Sequence, residues 1–121
     1  MKTLLALAFL AAPGHAAAKP KLPPYLESIR CAGLAEAAAK REKDGVGFGR
    51  VYFDAAIFWG MAASERARKD GISGARFTAD QEAAAAKAHA EFEAGSTTAA
   101  DELARCVARV APLPPKKGER G

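Results

Sequence analysis

The chain has 121 residues, a formal net charge of +4 and a 50% hydrophobic content, but 31 of its residues are alanine. Each alanine buries a single methyl group, so the apparent apolarity carries little burial energy. One domain is the natural size, and beyond the first dozen residues no apolar run approaches the roughly 20 residues of a membrane-spanning helix. A multidomain enzyme and a polytopic membrane protein are excluded.

The amino terminus reads as an export signal. Lys2 precedes an apolar stretch from Thr3 to Ala12, Pro13 and Gly14 break it, and His15-Ala16-Ala17-Ala18 supplies small residues for cleavage after Ala16 or Ala18. Residues 1–18 are therefore expected to be a cleaved Sec-type signal peptide, and the mature protein to be periplasmic or secreted. Lys19 to Pro24, with three prolines, reads as an extended lead-in. The helical domain is expected over 25–111, and a basic disordered tail over 112–121.

Four helices are predicted. Helix 1 runs from about Pro24 to Asp44 and stops at Gly45, and helix 2 from about Arg50 to Asp70, stopping at Gly71. Gly60 lies inside helix 2, either as a close helix crossing or as a tolerated defect. Ile72 to Phe77 is predicted as a loop. Thr78-Ala79-Asp80-Gln81 has the form of a capping box and predicts the start of helix 3, which ends at Gly95. Helix 4 starts at one of Ser96, Thr97 or Thr98 and ends before Pro112.

The two cysteines set the architecture. An exported chain with an even cysteine count suggests a disulfide between Cys31 and Cys106. Cys31 lies near the start of helix 1 and Cys106 near the end of helix 4. At ~1.5 Å per residue both fall about 8–9 Å from the same end of an antiparallel pair. The predicted fold is an all-α, antiparallel up-down four-helix bundle with this staple between helices 1 and 4.

Charge and side-chain chemistry narrow the function. Lys19, Lys21, Lys116, Lys117 and Arg120 lie in the two proline-containing ends, so the positive charge belongs to the ends and the body is near neutral. A basic stripe for nucleic acid is missing. His89 is the one histidine after the signal, with Glu82 and Glu93 in helical register as a weak candidate for a metal. Ser64 and Ser73 have no local base, and no phosphate-cradling glycine loop or His-Glu-x-x-His stands in the chain. The expectation is a non-catalytic protein with no cofactor and no dedicated metal site.

Helix 2 carries the bulk: Tyr52, Phe53, Ile57, Phe58, Trp59 and Met61 surround it. A helix apolar all round is expected at the centre of a fold. In a bundle of four no helix is fully surrounded, so either Tyr52 and Trp59 or Phe58 and Met61 are expected to be partly uncovered. Tyr52, Phe58, Trp59 and Met61 are the candidate partner-binding residues. The functional expectation is an exported helical interaction module, such as an adaptor, inhibitor or holdase, whose partner is another exported protein. The alternative is a small-molecule or metal carrier with a pocket between helices, lined by Trp59 and alanines.

Overall fold

A computed structural model describes residues 21–42 and 48–110. The expected signal peptide, the helix stop at Gly45 and the tail from 112 onward lie outside the described residues. Among these residues the fold is four α-helices with no strand: α1 (Tyr25–Arg41), α2 (Phe48–Asp70), α3 (Gly74–Glu93) and α4 (Thr97–Ala108).

Local chemistry sets the helix ends. Pro24 caps α1 in an extended conformation, and the Ser28 N–H donates to its carbonyl at 3.0 Å. Glu27 in the first turn and Lys40 and Arg41 in the last complement the helix dipole. Gly71 (φ 71°) and Gly95 (φ 73°) take the left-handed conformation that closes a helix. At each, the glycine N–H and the next N–H fold back onto the last turn: Gly71 to Arg68 O and Ile72 to Ala67 O, then Gly95 to Phe92 O and Ser96 to Glu91 O.

The start of α3 departs from expectation. Ser73 is the cap, its Oγ accepting from the Arg76 N–H at 3.1 Å, and the Thr78 capping box lies one turn inside the helix. The earlier start carries Phe77 onto Tyr25, Ile29, Ala63 and Ala67, a second small core. Asp80 accepts from Tyr25 Oη of α1 at 2.8 Å and from Arg76 one turn back on its own helix at 3.3 Å. Ser96 caps α4 as expected, its Oγ accepting from the Ala99 N–H at 3.0 Å.

Contacts at the ends give the up-down topology. Arg66 of α2 reaches back to Leu22 O, while Phe53 and Ile57 lie beside Glu36 and Lys40, so α2 runs antiparallel to α1. Tyr25 meets Asp80 and Arg41 meets Glu93, so α3 runs with α1. Arg109 pairs with Glu27 and Cys106 with Cys31, so α4 runs against it. The Cys31–Cys106 disulfide joins α1 to α4 as predicted, with Cα atoms 5.6 Å apart and a sequence separation of 75. In the chain-entropy picture it contributes about 4.5 kcal/mol. Such a bond is compatible with an oxidising, exported setting.

The central helix is α1, not the aromatic-rich α2. Ser28, Ile29, Cys31, Ala32, Gly33, Leu34, Ala35, Ala37 and Ala38 are all buried, and the other three helices pack around them. Steric reach explains the inversion. A helix of small residues admits neighbours on several sides, whereas a collar of large rings holds them away. The closest approach is at Gly33, where a Cβ would stand 2.6 Å from the Ala84 carbonyl carbon. Gly60 makes no such crossing: the nearest atom to a Cβ there is Gln81 Nε2 at 3.8 Å.

One charge cluster ties three helices together. The Arg30 guanidinium of α1 donates to Glu91 of α3 at 2.7 Å and to Glu102 of α4. The hydrogen bond from Arg30 holds the Glu91 carboxyl below its usual range, against the opposing effect of burial. Tyr25 is pushed up to about 12, first by burial and then by its bond to Asp80.

Candidate functional site

One face of α2 fixes the helix in place and leaves another bare. Ala55, Trp59, Ala63 and Ala67, four residues apart, form a straight buried stripe against the core. Trp59 is 1% exposed. Its indole Nε1–H donates to Cys106 O at 3.0 Å, Phe58 meets it edge-on with centroids 5.2 Å apart, and the Arg109 guanidinium lies over its ring at 5.0 Å. The indole thus fills the interior beside the disulfide, where the carrier reading places its pocket.

The opposite face carries Phe53 (55% exposed), Ile57 (47%) and Met61 (67%), again at intervals of four. These large apolar side chains form one ridge; Val51 is also exposed, on another side of the helix. Beside its first half, Phe53, Ala56 and Ile57 of α2 and Glu36, Ala39 and Lys40 of α1 border an open groove of about 390 Å³. Glu36 and Lys40 pair across one helical turn at its rim. Two further pairs flank the ridge, Arg50–Asp54 at 3.4 Å and Glu65–Arg68. The arrangement is an apolar strip bordered by charge, a form suited to another helix or an extended apolar segment.

The four candidate partner-binding residues are split between these faces. Met61 is exposed on the ridge. Phe58 and Tyr52 are half-buried and pack against the core cluster. Trp59 belongs to the interior, and the ridge runs without it. Phe53 and Ile57, which complete the ridge, fall outside the set drawn from sequence. The signal that finds them is the alanine register: once Ala55, Ala63 and Ala67 mark the buried side, Phe53, Ile57 and Met61 fall on the other.

The remaining chemistry is sparse among the described residues. His89 Nε2 stands 3.8 Å from Glu93 Oε2 on an exposed turn of α3, and no group of three or more His, Cys, Asp or Glu converges as a metal site. Both cysteines are bonded to each other. No described helix is long and apolar enough to cross a membrane. Comparison of the chain with protein-family models, with curated proteins and with solved structures finds no match.

Proposed function

We propose that the protein is an exported, non-catalytic helical interaction module, of the adaptor, inhibitor or holdase kind, that contacts another exported polypeptide through the Phe53–Ile57–Met61 ridge of α2. One observation carries the reading. In a domain whose largest fully buried side chains are Trp59, Leu34 and Ser28, three of the largest apolar side chains face outward in line. Each is already about half covered, so burying the rest would add roughly 1–2 kcal/mol per side chain to so thin a core. A fold that leaves them out retains a surface fitted to a partner. The export signal and the disulfide supply the setting, and the groove beside Phe53 and Ile57 accepts a protruding side chain.

Site-specific photocrosslinking tests this. A benzophenone side chain placed at Ile57 in cells expressing the full chain is expected to give discrete protein adducts. The same group at Ala86, exposed on α3, is expected to give none. Equal, diffuse labelling at both positions would sink the proposal. A low-mass adduct at Ile57 in place of a protein would move the reading to the carrier alternative.

A further inference from the structure

Resting on the ridge as a contact surface, we infer that its occupant is a second copy of this chain, packed antiparallel along α2 about Ile57. Three independent features converge on this arrangement.

The first is the symmetry of the apolar side chains. Phe53 and Met61 lie equally far from Ile57 on one face. A two-fold axis at Ile57 sets Phe53 against the partner's Met61, and Ile57 against the partner's Ile57. Such a pairing is isologous and closed, and it joins an aromatic ring to a thioether.

The second is charge. Arg50 and Glu65 lie on the same flank of the ridge, seven and eight residues from Ile57. Each already pairs within its own helix, Arg50 with Asp54 and Glu65 with Arg68, and the antiparallel arrangement sets these pairs end to end, so that Arg50 stands beside the partner's Glu65 in a row of alternating sign, twice by symmetry. Parallel packing would instead face Arg50 with the partner's Arg50 and Glu65 with the partner's Glu65. The charges therefore select one orientation.

The third is Gly60. A helix-interior glycine costs about 1 kcal/mol relative to alanine. Inside the monomer nothing stands close enough to require its missing Cβ, the nearest atom being Gln81 Nε2 at 3.8 Å. Gly60 and the exposed Ser64 lie one turn apart beside the ridge. They leave the backbone low where a second helix would cross, and small residues at a crossing let helix axes approach closely.

The ridge alone is narrower than a standard interface of about 800 Å² per partner. The association is therefore concentration-dependent and reversible, not obligate.

Sedimentation velocity on purified protein expressed from the full chain, from micromolar to millimolar, is expected to show a monomer shifting to twice its mass. Met61→Lys should weaken association at least about tenfold. Arg50→Glu and Glu65→Arg should each weaken it, and the two together should restore it, since the exchanged charges again face opposite partners. All these positions are exposed or half-exposed, and unchanged helical circular dichroism checks that the variants fold. A monomer across the whole range overturns the inference, as does association indifferent to Met61→Lys. Failure of the double exchange to recover what each single variant loses also overturns it. None of these results touches the wider reading: protein adducts at Ile57 with a mass other than twice the chain would keep the ridge as a contact surface while denying self-pairing.

Discussion

Replacing Gly33 by alanine should destabilise the protein, although alanine is the better helix former. Gly33 is buried in the middle of α1. An added Cβ would lie 2.6 Å from Ala84 C, 2.7 Å from Ala84 Cβ and 2.7 Å from Ala84 O. Carbon atoms rest about 3.5–4.0 Å apart, so α1 and α3 must separate by about 1 Å. That movement pulls on the contacts that tie the two helices together, Tyr25–Asp80, Arg30–Glu91 and Arg41–Glu93. Overpacking of this kind costs about 1–3 kcal/mol. Here backbone atoms obstruct, which places the cost toward the upper end. Helix propensity returns about 1 kcal/mol. The net loss is about 1–2 kcal/mol, equivalent to a fall in melting temperature of roughly 5–15 °C. Thermal and urea unfolding followed by circular dichroism measure it. Ala84→Gly in the same chain should not rescue the variant, because two of the three obstructing atoms are backbone. A Gly33→Ala protein as stable as the parent, or more so, would refute the close crossing on which the central position of α1 rests.

Four further outcomes follow from the same geometry. Gly60→Ala should raise monomer stability by up to about 1 kcal/mol, the opposite sign to Gly33→Ala, because its Cβ meets only open space and the end of Gln81; dilute urea melts compare the two. Cys31→Ser with Cys106→Ser should lower stability by about 4 kcal/mol, and a thiol reductant should shift the unfolding midpoint of the parent but not of the double variant. Ser28 is fully buried with no partner for its Oγ, so Ser28→Ala should stabilise by about 1 kcal/mol in the same melts. Glu91 has its carboxyl pKa lowered by Arg30, so its contribution is present above the unfolded-state value near 4.5 and is lost as pH falls through the lower folded value; Glu91→Gln should flatten that part of the stability–pH curve.

The sequence made the helix count, the disulfide and most of the boundaries legible, because each rests on local chemistry. Gly71 and Gly95 close helices by their own backbone freedom, and Ser96 caps by its own hydroxyl. The misplaced start of α3 has a tertiary cause. Two serviceable caps, Ser73 and Thr78, stand five residues apart, and the Phe77 ring decides between them by joining the core around Tyr25. The identity of the central helix was hidden for a related reason. Hydrophobicity marks which residues prefer burial, while the order of packing depends on which helix can be approached. Gly33 and the alanines of α1 decide that by their small size. The ridge on α2 was half-legible: Met61 stood out from the sequence, but only the buried register of Ala55 through Ala67 separates Phe53 and Ile57 from the interior ring of Trp59.

The placement of α1 also bears on time. It is the first described helix in chain order and the one against which the other three pack. Each later helix can settle on it in the order of synthesis, α2 first through the nearest contacts. Its cysteine has no partner until α4 emerges, 75 residues later. Until then Cys31 is an open thiol on an incompletely covered helix, available to any oxidant or foreign thiol nearby. The staple can close only once α4 is present, and a chain truncated before Cys106 would be left with its central helix less covered and its thiol unpaired.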